Sequence, residues 1–343
     1  MKRYGGFYDA ICSMDNLREA HRNARKGKSH YKEVQMVDSN PDYYLKQIQQ
    51  ILLNQTYKVA QYETFKKVDK GKERLIYKLP YYPDRIIQWA ILIQVEHVFL
   101  KTFIHDTFAS LPNRGIHQCL KRLHKSMENR EETLYCLKFD IKKYFPSIKQ
   151  EILKAMLRRK FKDKRLLRLL DGIVDSSDEG IPIGNYMSQY LANYYLSWLD
   201  HWLKEDKKCR HYFRYMDDIV ILGNNKNDLH RLKKEIEEFL WSTLELELKG
   251  DWQIFPTYIR GVDFVGYRSF GDYTLLRKST AANIKNKVKS IEQKGFVSEK
   301  DICSIESYKG WLKWADCFNL LIRWIRRLNY EGARNNTTRT CRN

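Results

Sequence analysis

The sequence is short of acid. Its 343 residues carry 42 Asp and Glu against 62 Lys and Arg, a formal net charge of +20. Such a surplus is out of place on an enzyme for neutral substrates, and a polyanion is its simple partner: nucleic acid first, an anionic membrane second. Long apolar runs are missing as well. The most apolar helical stretch, Ile86 to Leu100, is interrupted by Gln88, Gln94, Glu96 and His97, too polar to span a bilayer. The opening stretch MKRYGGFYDAICSMDNLREA is basic but has no apolar core, so no secretory signal is expected. The seven cysteines are scattered and odd in number, and none forms a CxxC. That fits a reducing compartment, with no disulfide framework and no zinc site. Cys209 and His211 are near neighbours and read as structural. There is no internal repeat and no low-complexity linker.

What is present is aromatic, at 13%, which favours nucleic acid over membrane because bases stack on rings. Residues 1–60 read as mainly helical. NLREAHRNARKGKSHYKE is strongly basic with Asn16 as its N-cap, and serves either as a solvated face or as an RNA contact. SNPDYYLKQIQQILLNQTY is an amphipathic helix opened by Ser39 or Asn40, with Pro41 early. YETFKKVDKGKERLIYKLP alternates apolar and polar around a turn at Asp69 to Gly71, a β-hairpin. Its basic tip, with Lys72 and Arg74, is either a soluble loop or a clamp for a triphosphate.

Beyond it, the stretch from Pro83 is helix-periodic, as is IHQCLKRLHKSMEN, where His117 and His124 share a face and read as solvated. LYCLKFD, Leu134 to Asp140, is a strand. Helices follow at KQEILKAMLRRKF and DKRLLRLLDGIVDS. A Gly/Pro turn then feeds a long apolar helix at EGIPIGNYMSQYLANYYLSWLDHWL. YFRYMDDIVIL is a hairpin, DLHRLKKEIEEFLWSTL a helix, LELELKG a strand and IRGVDFVGYRSF a short hairpin. From Thr280 the chain turns helical and basic to Arg342, with Trp311, Trp314 and Trp324 among basic residues. Strands separated by helices point to an α+β fold on one antiparallel sheet, followed by a helical unit.

Asp217 and Asp218 stand side by side in an otherwise apolar hairpin, although a buried charge costs several kcal/mol, roughly, unless it is compensated. As a plain turn the choice is poor, since tight hairpins favour Asn-Gly or Asp-Gly. A third carboxylate, Asp140, ends the earlier strand. Three aspartates at the ends of adjacent strands can share divalent cations, and oxygen-only ligands select Mg²⁺ or Mn²⁺. Two such ions about 3.5–4 Å apart stabilise both oxygens of an in-line phosphoryl transfer. Phosphoryl transfer asks for positioning and cationic clamping above all.

At these residues the sequence resembles the reverse transcriptases. FDIKKYF (139–145) is similar to their first palm motif and RYMDDIVIL (214–222) to their catalytic hairpin. GIPIGNYMSQ (180–189) lies between the two and VDFVGY (262–267) follows them. KGKERLIYKLPYYPDRIIQ (70–88) and FASLPNRGIHQ (108–118) match as well. The resemblance implies a right-hand polymerase. Its basic helical extension would be 1–60, and its fingers 61–133 with the helices of 151–180. Its antiparallel-sheet palm would be 134–150 and 181–270, and its helical thumb 271–343. It implies that Asp140, Asp217 and Asp218, with the Ile141 carbonyl, bind two Mg²⁺. It makes Phe145 a steric gate against the ribose 2′-hydroxyl. Lys72, Arg74, Ile183, Gly184 and Gln189 would line the deoxynucleotide site. Tyr215, Met216, Gly266 and Tyr267 would meet primer and template. Lys249 lies near the region of the family's proton-donating lysine but reads equally as solvated, and is left unassigned.

The stretch Ile183-Gly184-Asn185-Tyr186-Met187-Ser188-Gln189 departs from the Gln-Gly-x-x-x-Ser-Pro of group II intron enzymes. It resembles the form found in reverse transcriptases of diversity-generating retroelements. That likeness implies a template-repeat RNA copied with errors opposite adenine, a small basic ring-forming accessory protein, and a cytoplasmic setting in a bacterium or its phage. The alternatives are a non-mutagenic bacterial reverse transcriptase of intron, retron or abortive-infection type, and an inactive RNA-binding scaffold.

Overall fold

In the computed structural model, which describes residues 2–69, 72–326 and 328, four of the longer helices begin at a side-chain cap. The main helices are α1 (Met14–Ala24), α2 (Lys32–Ser39), α3 (Pro41–Leu53), α4 (Ile86–Leu100), α5 (Ile116–Met127), α6 (Gln150–Lys160), α7 (Lys164–Val174), α8 (Tyr186–His201), α9 (Lys226–Leu244), α10 (Lys278–Lys294) and α11 (Glu299–Leu312). Asn40 accepts from the Tyr43 amide and Asp163 from those of Arg165 and Leu166, while Ser298 and Asp301 form a reciprocal capping box on α11. Asn16 is not the cap expected. Ser13 takes that place, and Asn16 is buried inside α1.

The strands are β1 (Glu63–Asp69), β2 (Lys72–Lys78), β3 (Tyr135–Phe139), β4 (His211–Tyr215), β5 (Asp218–Gly223), β6 (Gln253–Pro256), β7 (Val262–Phe264), β8 (Tyr267–Ser269) and β9 (Thr274–Leu276). The expected strand LELELKG is absent. Its alternation does bury Leu244 and Leu246, but its pairing is one isolated bridge, Leu248 with Ile141.

The chain divides into two units. The first holds residues 1–111, 140–209 and 234–250. Its centre is α4, apolar on nearly every side and correspondingly buried. Phe99 of α4 meets the rings of Phe161 and Tyr194 with centroids 5.7 and 5.4 Å away. The tyrosines of α8 bury their rings and still satisfy their hydroxyls: Tyr194 donates to the Met156 carbonyl at 2.9 Å and Tyr195 to that of Leu244 at 2.7 Å. Asn16 ties α1 to α4, donating to the Ala90 carbonyl at 3.0 Å and accepting from Gln94 at 2.7 Å.

The second unit takes residues 112–139, 210–233 and 251 onward. It carries the antiparallel sheet, in the order β4-β5-β3-β6. Ile219, Val220, Ile221 and Leu222 of β5 are all buried, which is why this stretch is a continuous apolar run rather than an alternating one. A smaller sheet, β7-β8-β9, stands against α11 through Gly266 and Trp311: a Cβ on Gly266 would lie 2.5 Å from the indole. Trp311 stacks on the buried Tyr267 at 5.3 Å, so this tryptophan packs the core. Cys12, Cys119, Cys136, Cys209 and Cys317 are free thiols, whereas Cys303 is disulfide-bonded, which departs from the expectation of an all-reduced chain.

Candidate active site

The β4–β5 hairpin is a tight construction. Tyr215 pairs with Asp218, so the loop between the strands is Met216 and Asp217 alone. Met216 adopts φ +60°, a left-handed conformation that costs a non-glycine residue about 1–2 kcal/mol and that persists only where the surroundings enforce it. Arg214 helps to enforce it. Its side chain is among the largest that are fully buried, and its Nη1 donates to the Met216 carbonyl at 3.0 Å. That carbonyl belongs to the peptide leading into Asp217, so a buried guanidinium fixes the direction in which the turn presents its acid.

Lys138 supplies a second cation. It lies on β3 opposite Val220, and its Nζ is 3.4 Å from Asp218 Oδ1. The same ammonium donates to the Asp263 carbonyl on β7. Two adjacent aspartates are thus tolerated partly because Arg214 and Lys138 stand beneath the turn that carries them. Tyr215 is half-buried, and burial pushes its phenol above the ordinary tyrosine range.

β3 ends at Phe139, the register partner of Ile219, and Asp140 is the next residue along the chain. Its Oδ1 accepts from the Ile141 amide at 3.0 Å, and its carbonyl accepts from the Lys249 amide at 2.9 Å. Ile141 is buried. Among the described residues no three His, Cys, Asp or Glu side chains are gathered closely enough to hold a metal ion. The Asp218 carboxylate offers oxygen donors alone and pairs with the Lys138 ammonium; oxygen donors are the kind that hard divalent ions take.

The other residues singled out in the sequence fall in distinct places. Phe145, in the helical turn Tyr144–Ser147, is a half-buried ring set edge-on to Tyr144. Its carbonyl accepts from the Ile181 amide at 3.1 Å and comes within 2.0 Å of where a Cβ on Gly180 would stand. Ile183 accepts from the Tyr77 amide at 3.0 Å. Gly184, at φ +120°, leaves no room for a side chain: a Cβ would sit 2.4 Å from the Tyr77 carbonyl. This couples the end of β2 to the segment before α8. Lys72 and Arg74 lie on β2, in register with Asp69 and Lys67, while the tip residues Lys70 and Gly71 fall outside the described residues. Gln189 lines a cavity with Arg85, Gln88 and Asn185.

Tyr267 is buried, stacked on Trp311 and donating to the Trp311 carbonyl at 3.1 Å. One expectation is corrected. His117 and His124 are half-buried and packed rather than freely solvated. His117 stacks on Trp314 at 4.6 Å, and His124 is bonded to Ser269 at 3.1 Å and to Thr274. Burial lowers the pKa of both. Their spacing on one helical face is visible in the sequence, and that face is partly packed.

A family profile described as "Reverse transcriptase (RNA-dependent DNA polymerase)" matches residues 65–251. The chain belongs to that family. As a reverse transcriptase it has the helix-covered antiparallel sheet and acid-bearing hairpin of a right-hand polymerase fold. It is 24% identical over 259 residues to Protein YkfC of Escherichia coli (strain K12), covering 63% of this chain and 66% of that one. It is 31% identical over 175 residues to the Retron Ec73 reverse transcriptase of Escherichia coli, covering 47% of this chain and 54% of that one. It is 22% identical over 261 residues to the Group II intron-encoded protein LtrA of Lactococcus lactis subsp. cremoris, covering 55% of this chain and 43% of that one. The chain thus spans between 43% and 66% of the length of these relatives. No helix among the described residues is long and apolar enough to cross a membrane.

Proposed function

We propose that this reverse transcriptase is an RNA-directed DNA polymerase that copies a template-repeat RNA into cDNA with misincorporation directed at adenine. Its product would diversify a target gene, and it would work with a small basic ring-forming accessory protein. The observation that carries the polymerase reading is the hairpin: Asp217 and Asp218 sit at a two-residue turn braced by Arg214, beside the strand whose end leads into Asp140.

In this reading Asp140, Asp217, Asp218 and the Ile141 carbonyl hold two Mg²⁺, with Mn²⁺ a workable substitute. Bound there, the ions lower the pKa of the primer 3′-hydroxyl and neutralise the triphosphate. The protein's own part is to orient. Arg214 and the Met216 turn aim Asp217, and Lys138 pairs with Asp218. The Phe145 ring excludes a 2′-hydroxyl, Ile183, Gly184 and Gln189 shape the nucleotide site, and Lys72 and Arg74 clamp the triphosphate. Met216, Tyr215 and Gly266 lie along primer and template. Fingers, palm and thumb take the boundaries given above.

The mutagenic type rests on the Ile183-to-Gln189 stretch, where an apolar residue replaces a glutamine; losing one polar contact lowers discrimination by about 1 kcal/mol. A second reading, a non-mutagenic retron-type enzyme, is favoured by the likeness to the Retron Ec73 reverse transcriptase. Primer extension on a defined RNA with all four deoxynucleotides and Mg²⁺, followed by cDNA sequencing with and without a candidate accessory protein, separates the two. Substitutions concentrated opposite template adenines support the mutagenic type. An even, low error spectrum supports the second reading and removes the diversifying role.

A further inference from the structure

A cavity of about 360 Å³ opens in the first unit between the C-terminal end of α1, α4 and the start of α8. Three features of its lining converge. The first is a pair of buried amides. Gln88 is 4% exposed and Asn185 is 3% exposed, yet Gln88 Nε2 and Asn185 Oδ1 have no hydrogen-bond partner. The orientation of Asn185 is set by its other end, because Nδ2 donates to the Tyr62 hydroxyl at 2.7 Å. A buried polar atom left unmade costs about 1–3 kcal/mol, and such groups call for an explanation. Here one is a donor and the other an acceptor, on a shared cavity wall.

The second feature is charge. Lys28 and Arg85 both line the cavity. Burial first, and the nearness of Arg85 second, lower the Lys28 pKa, as when two cations share a site with no acid between them. Such a pair is complementary to a phosphate. The third is a platform. Trp89 and Tyr186 stack with centroids 4.7 Å apart and planes at 18°, and Tyr186 remains 37% exposed. An open ring face beside cations and amides matches how unpaired RNA bases are held: stacked on an aromatic and bonded at their edges.

We propose that this cavity is a base-reading subsite for one unpaired nucleotide of an RNA strand. Lys28 and Arg85 take the phosphate, Tyr186 stacks the base, and Gln88 and Asn185 bond its edge. The inference rests on the polymerase reading for the presence of RNA. It adds a contact that distinguishes one base from another, where phosphate contacts alone are sequence-neutral.

The test is equilibrium binding of fluorescent rA, rC, rG and rU octamers to the full chain, without deoxynucleotides, at several salt concentrations. The wild type is expected to prefer one octamer by at least about fivefold, the low end for a paired donor and acceptor on a base. Gln88→Leu and Asn185→Leu should remove that preference. Gln88→Glu, nearly the same shape, guards against a folding artefact and should remove it too. Lys28→Met should weaken all four octamers alike and reduce the salt slope by about one. Equal wild-type affinity for all four, or a preference that survives the amide variants, overturns the subsite. Displacement by free ribonucleoside or deoxynucleoside triphosphate as readily as by the octamer would make the ligand a free nucleotide and overturn the strand assignment. Primer extension run in parallel separates the two claims. Base preference without cDNA keeps the subsite and sinks the polymerase, cDNA without base preference does the reverse, and failure to bind RNA sinks both.

Discussion

Two β-hairpins in this protein share a plan and differ in everything else. β1–β2 and β4–β5 are both antiparallel, and each is joined by two residues. In β1–β2 the described cross-strand contacts are ion pairs in water: Lys66 with Glu73 and Lys78 with Glu63, both at 2.7 Å, with side chains 48–73% exposed. Such pairs contribute about 0–1 kcal/mol. In β4–β5 the strands are buried, the turn holds a methionine at φ +60°, and a buried arginine supports it. The first hairpin can change its side chains at little cost. The second combines burial, strain and charge, and any one of them altered disturbs the others. That contrast is expected where one hairpin faces solvent and the other is braced to hold its side chains in one geometry.

The largest effect should come from the second hairpin's acids. Asp217→Asn together with Asp218→Asn should lower RNA-templated synthesis on the order of 10⁴-fold, the scale seen when a unit of catalytic groups is removed, with RNA affinity unchanged in a filter-binding assay. Next is the brace. Arg214→Lys keeps a cation but loses the fork geometry; it should cost about 1.5–3 kcal/mol in denaturant unfolding, the range for a hydrogen bond to a charged group. Its kcat should fall more than its KM for deoxynucleotide. An unchanged kcat in folded Arg214→Lys would remove Arg214 from the account of the turn.

A smaller effect concerns pH. His117 and His124 have folded pKa values lowered by burial. Below about pH 6.5 the unfolded chain therefore binds protons that the folded chain resists, so stability is lost as pH falls through that value and is regained as it rises. Unfolding midpoints across pH 5 to 8 should show that slope, and His124→Gln should flatten it. The smallest effect belongs to the first hairpin: Lys66→Ala should change stability by less than about 1 kcal/mol and leave the unfolding midpoint within error.

The contrast between the hairpins also explains what the sequence discloses. Asp217 and Asp218 are legible because an apolar run, a charge pair and a tight turn are all local. The brace under them is less so, since nothing in RYMDD states that Arg214 folds inward. LELELKG shows that alternation reports side-chain burial rather than backbone pairing: Leu246 goes inside while the backbone makes a single bridge. β6 leaves little trace in the sequence, since QIFP is short and ends in proline. Asn16 has the composition of a cap, but its carbonyl and amide are needed by Gln94 and Ala90, far along the chain. The amide-lined cavity is illegible in the sequence for the same reason. Gln88 and Asn185 are nearly a hundred positions apart, roughly, and their shared wall is a property of packing between helices.

The most direct measurement of the central claim is primer extension by the wild-type chain and by the Asp217→Asn/Asp218→Asn chain on one RNA template, titrated with Mg²⁺, with RNA binding followed in the same samples. The account predicts Mg²⁺-dependent cDNA from the wild type and none from the variant, at equal RNA occupancy. Equal cDNA from both chains, or loss of RNA binding in place of synthesis, would contradict it.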